Sequence, residues 1–129
     1  MSLRIEVGGL KLEAGLSPRV CPRTVEAVVS ALPIQGVVRR WGDEIYFEVP
    51  FRVEAENQQE VVEMGDLGYW PPGRAICIFF GRTPASRGDE IRPASPVNVF
   101  GKIKRGELEA LKKVRDGENI VITWDTQGR

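Results

Sequence analysis

The chain has 129 residues, with 18 Lys and Arg balancing 18 Asp and Glu, and no histidine. That length suits one hydrophobic core without a disulfide or metal staple, and zero net charge argues against bulk electrostatic binding to nucleic acid or membrane. The missing histidine excludes Ser-His-Asp and Cys-His catalysis and the HExxH metal site, so no metal and no cofactor are expected.

The two cysteines, Cys21 and Cys77, form no CxxC pair, and a single Cys21–Cys77 bridge is the one disulfide they allow. The start Met1-Ser2-Leu3-Arg4-Ile5-Glu6 has no apolar signal core. No run is long and apolar enough to span a bilayer. The expectation is one domain over residues 1–129, in the cytoplasm, with oligomeric state left open.

Leu3, Ile5 and Val7 alternate with polar residues, Gly8-Gly9 intervenes, and Leu10 and Leu12 resume. Period-2 alternation around a Gly-Gly turn predicts a β-hairpin. Pro22 opens a helix at its first position, where the missing N–H costs nothing. Val25, Val28, Val29 and Leu32 give that helix an apolar stripe, and Pro33 and Gly36 end it. Strands are predicted at Val37–Trp41 and Ile45–Val49, paired through Gly42-Asp43. Phe51–Glu56 alternates again before an Asn57-Gln58-Gln59 turn and Val61-Val62.

Ala75–Phe80 is an unbroken apolar run, too short for a typical helix, and predicts a strand buried on both faces. Residues 82–96, rich in proline and serine, form a long loop. A strand at Val97–Ile103 follows, then Gly106 and a short helix with Leu108, Leu111 and Val114 inward. An Asp116-Gly117 turn leads to a last strand, Ile120–Trp124. Many short strands with two isolated helices imply a barrel or sandwich rather than a parallel α/β sheet.

Several residues carry candidate chemistry. Tyr69-Trp70-Pro71-Pro72-Gly73 is either a rigid turn with aromatic plugs or a ligand wall of flat apolar faces, and its Trp70-Pro71 bond is a candidate cis peptide. Cys77, inside an apolar run and without a histidine partner, is expected to be an inert buried thiol. Arg74, Arg82, Arg87 and Arg92 are either solvated charges paired with neighbours such as Asp89 and Glu90, or an anion-binding rim. Glu44 and Glu48 share one strand face and are either a carboxylate pair or, as expected, part of an exposed strand face. Asp66 is expected to bond backbone N–H groups in a turn.

Two stretches resemble the cyclophilin fold. One runs from Leu10-Lys11-Leu12-Glu13 to Pro22-Arg23-Thr24-Val25-Glu26-Ala27; the other is Val97-Asn98-Val99-Phe100-Gly101-Lys102-Ile103 with the helix after Gly106. The middle resembles a narrower bacterial and archaeal cyclophilin-like family of unassigned function, through Gly65-Asp66-Leu67-Gly68-Tyr69-Trp70-Pro71-Pro72-Gly73, Phe79-Phe80-Gly81, Thr83-Pro84 and Pro93-Ala94-Ser95-Pro96-Val97. The resemblance implies a mainly β, closed barrel of about eight strands with two short capping helices.

The resemblance carries fold further than function. In cyclophilin isomerases a Phe-His-Arg strand supplies the arginine that polarises the substrate amide. Here the comparable strand contains Arg39 and Arg40 on opposite faces, and both are catalytic candidates. The resemblance places Phe80 in the pocket lining, while Arg92-Pro93 matches a Trp-Leu pair by position only and the pocket histidine falls on Val97.

Two functional classes follow. The first is a non-catalytic or weakly catalytic module binding a peptide or small molecule. Its site would be Tyr69, Trp70 and Phe80, joined by Thr83, Ser86 and Arg92 if the 82–96 loop folds back along the barrel. The alternative is a peptidyl-prolyl cis-trans isomerase with an atypical site, since amide rotation needs no cofactor and no histidine. The expected partner is a peptide or small-molecule ligand, with no nucleic acid and no membrane.

Overall fold

The computed structural model describes residues 2–125. In chain order it contains β1 (Ser2–Val7), β2 (Leu10–Leu16), α1 (Pro22–Ala31), β3 (Ile34–Val37), β4 (Arg39–Arg40), β5 (Glu44–Glu48), β6 (Asp66–Trp70), β7 (Ala75–Phe79), β8 (Asn98–Arg105) and β9 (Asn119–Trp124). Two 3-10 turns, Pro71–Gly73 and Leu108–Lys113, complete it. The strands form one antiparallel sheet in the order β3-β9-β1-β2-β8-β6-β7-β5-β4, rolled into a nearly closed barrel.

The first hairpin forms as its sequence predicts. Gly8 and Gly9 have φ of 56° and 81°, both in the left-handed region that a two-residue primed turn requires, and β1 pairs with β2 from Val7↔Leu10 outward. Helix α1 buries Thr24, Val25 and Val28, with Val29 and Leu32 half-buried against the barrel cluster. Its first turn is capped from a distance. The Glu56 carboxylate accepts from the N–H groups of Arg23 at 2.9 Å and Thr24 at 3.0 Å, and from the Thr24 hydroxyl at 2.8 Å. Buried Asn98 at the start of β8 joins this network, donating to Thr24 Oγ1 and the Glu54 carbonyl and accepting from the Glu56 N–H.

Two predicted strands are corrected. Residues 37–41 are not one strand: β3 pairs with β9, β4 pairs with β5, and Val38 lies between them. The Val38 backbone turns aside to the 115–118 turn, donating to the Glu118 carbonyl and accepting from the Gly117 N–H, both at 2.9 Å. Residues 51–54 alternate in burial, with Val53 inside and Arg52 and Glu54 outside, but Ala55 breaks the pattern and residues 51–56 join no ladder. Side chains satisfy this backbone instead, among them the Tyr69 hydroxyl accepting from the Val53 N–H at 3.1 Å. Beyond it the chain makes only the isolated bridges Gln59↔Val97 and Val62↔Ile91. The cis peptide is Leu32–Pro33, not Trp70–Pro71, and Cys21 and Cys77 are both free and buried.

The core has two compartments. Inside the barrel lie Leu3, Ile5, Ile45, Phe47, Leu67, Tyr69, Ile76, Ile78, Phe80, Phe100 and Ile122, with Leu111 and Val114 from the 106–114 segment. A smaller cluster lies on the outer face of the sheet: Cys77, Phe79 and Val99, covered by Val62, Ile91 and Val97. Strand β7 is thus buried on both sides, as its unbroken apolar run predicts, and its outer cover is the segment leading up to Val97.

Arg40 fastens the seam where the sheet edges meet. Its Nε and Nη2 donate to the Gly42 carbonyl at 3.0 and 2.8 Å, and Nη2 also reaches Asp43 Oδ1 at 3.3 Å. Its Nη1 donates to the carbonyls of Lys112 and Val114, both at 2.9 Å. The guanidinium carbon lies 5.1 Å from the Phe80 ring centroid, within cation–π range. All five guanidinium donors are engaged, in a fork that lysine cannot reproduce. Arg40→Lys is therefore expected to cost about 1–3 kcal/mol of stability, read as a lower urea midpoint; an unchanged midpoint would show that the clamp does not stabilise the seam.

Candidate functional site

Alternation along β5 sends Ile45 and Phe47 into the barrel and Glu44, Tyr46 and Glu48 to its outer face. The register Glu44↔Phe79 and Tyr46↔Cys77 places these outward residues beside the covered face of β7, and Gly68↔Cys77 and Trp70↔Ala75 bring β6 alongside. A cavity of about 190 Å³ opens here. Its floor is Glu44, Tyr46 and Cys77, Trp41 and Trp70 form walls, and Pro93, Ala94 and Val97 of the long loop form the roof.

Two glycines shape it. A Cβ on Gly68 would lie 2.9 Å from Val97 Cγ2, so only glycine lets the roof sit this low. A Cβ on Gly73 would lie 2.5 Å from Trp70 Cζ3. The indole is fixed on its other side by Nε1 donating to Ser95 Oγ at 2.6 Å.

Glu44 is the unusual group. It is 5% exposed, contrary to the expectation of an exposed strand face, because the loop roofs this part of the sheet. Its Oε1 has no hydrogen-bond partner. Burial pushes its carboxyl up to about 7, and a hydrogen bond with Cys77 pulls the other way. The Cys77 thiol is in turn raised well above its ordinary value, by burial first and then by Glu44. Cys21, outside the site, is pushed up to about 11 by burial and the neighbouring Glu56. Neither thiol is activated as a nucleophile.

Of the residues singled out from sequence, Trp70 lines the cavity. Tyr69 points into the barrel, fully buried, its hydroxyl donating to the Phe51 carbonyl at 3.2 Å and its ring stacked on Phe51. Phe80 is also inside, beneath Arg40. Thr83, Ser86 and Arg92 build the loop itself. Thr83 Oγ1 bonds to the Arg92 carbonyl, Ser86 Oγ accepts from the N–H groups of Thr83 and Arg92, and Arg92 pairs with Glu90 at 3.1 Å. Glu90 also accepts from the N–H groups of Arg87 and Gly88, which hold its carboxyl down at about 2. Arg39 is exposed on β4, beside a second cavity that it lines with Val37, Tyr46, Phe47 and Glu48. Asp66 takes the turn role expected of it, accepting from the Glu63 N–H at 2.8 Å.

Sequence reasoning missed Trp41, Tyr46, Pro93 and Ala94 as lining residues and expected Glu44 on an exposed face, whereas Cys77 is the inert buried thiol expected of it. The available signal was the doubly apolar β7: a strand buried on both faces requires a cover, and whatever lies beside it on the outer face goes under that cover.

A barrel of this topology, with its long loop folded onto one outer face, defines a cyclophilin-like domain. The chain belongs to the cyclophilin-like family, which it matches over residues 1–123. It is 48% identical to the hypothetical protein AF2241 from Archaeoglobus fulgidus, whose solution structure superposes with a TM-score of 0.82 over 95% of this chain and 93% of that one. The fold also matches McbB, solved in complex with tryptophan, with a TM-score of 0.74 at 13% identity; the match covers 98% of this chain but 46% of McbB. No protein of curated function matches the chain. Among the described residues no helix is long and apolar enough to cross a membrane.

The raised carboxyl of Glu44 makes stability fall with pH. Between its ordinary value of 4.5 and about 7 the unfolded chain gives up this proton while the folded chain keeps it. The native state's advantage is therefore complete below about 4.5 and is lost as pH rises to 7, by about 3 kcal/mol. Urea denaturation across that window is expected to show this decline in the wild type and to lose most of it in Glu44→Gln; parallel profiles would refute the assignment.

Proposed function

We propose that this protein is a small-ligand binding module and that its site is the cavity under the long loop. The observation that carries this reading is the buried, unpartnered Oε1 of Glu44 at a cavity walled by aromatic rings. A buried polar atom without a partner costs about 1–3 kcal/mol, and the Glu44 side chain that bears it lines the cavity. Convergence of one such group with an apolar wall is the usual form of a small-molecule site. The cavity is smaller than the ~300–1,000 Å³ of drug-sized sites, so it admits a small molecule or one side chain of a peptide.

The isomerase reading draws less support. The arginine that cyclophilins use must be free to face a substrate amide, whereas every donor of Arg40 is bound to the protein's own backbone or to Asp43. Among the described residues none pairs with the Arg39 guanidinium, which lies on the edge of a separate cavity. Proline-isomerisation assays are expected to show activity far below that of a cyclophilin, and robust turnover abolished by Arg39→Ala would promote the isomerase.

Binding is tested by amide NMR against a panel of aromatic amino acids, small amines and short proline peptides. Tryptophan belongs in it, being bound by McbB, although that likeness extends to fold alone. Shifts at residues 41–46, 70, 77 and 93–97 are the expected result. Shifts centred on the Gly8-Gly9 hairpin or β9, or none with any member, would overturn the assignment.

A further inference from the structure

We propose that the cavity recognises a small alkylated ammonium, held against the faces of Trp41, Tyr46 and Trp70 and neutralised by the Glu44 carboxylate. This deepens the reading of the cavity as a ligand site and rests on it.

The composition of the wall selects the chemistry. Three aromatic residues and one carboxyl line the cavity, and ring faces and carboxylates both attract positive charge. A neutral apolar ligand would use the rings but leave Oε1 without a partner. A small polar molecule such as water would leave the rings unused. An ammonium carrying methyl groups uses both, presenting apolar surface to the rings and positive charge to the acid.

The protein supplies no cation of its own. None of the described lining residues is basic, Arg40 has all its donors engaged at the seam, and Arg92 is paired with Glu90. The wall is also in place before a ligand arrives. Trp70 is held between Gly73 and its bond to Ser95, and the backbone that carries Trp41 is pinned by its main-chain N–H donating to the Glu44 carbonyl at 2.9 Å. Such preorganisation lowers the ordering cost of binding.

Proton linkage supports the assignment. The titratable groups facing Glu44 are the Cys77 thiol on β7 and the Tyr46 phenol on its own strand. The turn, β6 and the loop contribute Trp41, Trp70, Pro93, Ala94 and Val97, none of which ionises. With the empty acid titrating near 7, a cation selects the ionised form, so affinity should rise about tenfold from roughly pH 6 to pH 8.

The test uses the full chain, followed by tryptophan fluorescence and by the NMR signals of Trp41 and Trp70. Choline is titrated beside its neutral isostere, in which carbon replaces the ammonium nitrogen. Choline is expected to bind at least tenfold more tightly than the isostere, and Glu44→Gln to reduce that preference severalfold. A trimethyllysine peptide binding more tightly than choline would assign the ammonium to a peptide; weaker binding would assign it to a free molecule. Equal binding of choline and its isostere in the wild-type protein would overturn the proposal while leaving the cavity a ligand site. That comparison needs no variant to fold. If both probes and the wider ligand panel leave the cavity signals unmoved, the ligand site itself fails.

Discussion

Val38 joins the two ends of the sheet with no residue to spare, since β3 stops at Val37 on one edge and β4 begins at Arg39 on the other. Its side chain is fully buried, and its N–H and carbonyl are both taken by the 115–118 turn. The barrel thus closes through covalent continuity, although β3 and β5 share no ladder. Close packing completes the seam: a Cβ on Gly36 would lie 3.0 Å from the Phe47 ring. Arg40 lies two residues beyond Val38, where the carbonyls of the 112–114 segment would otherwise lack donors, and its backbone N–H is held by Asp116 at 2.6 Å. One of the two guanidinium groups that the resemblance offers for catalysis is here committed to closure.

Closing the barrel also fills it. Tyr69, Phe47, Phe80 and Phe100 are all at most 2% exposed in its interior, and close-packed interiors leave no room for a ligand. The cavity lies instead on the outer face, where the sheet needs a second layer over β7. A loop rather than a helix provides that layer. Its cover is incomplete near Trp41 and Tyr46, and the gap is the cavity.

How much of this is legible in sequence depends on the range of the interaction. The Gly8-Gly9 turn, the Pro22 helix start and the doubly buried β7 rest on neighbours in the chain, so pattern alone exposes them. The jog at Val38 depends on a turn about eighty residues away, and a run of β-formers hides it. Phe51–Glu56 has the alternation of a strand, yet its backbone is met by Tyr69 and Asn98 side chains that no local pattern announces. The site fails for the same reason. Whether Tyr69 or Trp70 faces the cavity is a matter of strand parity, and Glu44 becomes buried only because β5 registers against β7 under a loop that begins some forty residues later.

The charge of the site follows from these constraints. In the cyclophilin pattern an arginine polarises an amide, which requires a free positive group beside an apolar pocket. Here the seam consumes Arg40, and the loop buries a carboxyl among aromatic faces, so the local field has the opposite sign. Burying Glu44 is costly: a neutral residue of the same shape would be more stable at neutral pH, and no basic side chain of the cavity offsets the charge. Packing compensates only in part, since Cys77 bonds to the carboxyl but Oε1 has no partner. A costly buried carboxyl lining a cavity is a candidate for function rather than folding. Under the proposal made for this cavity, its partner brings positive charge and apolar surface together.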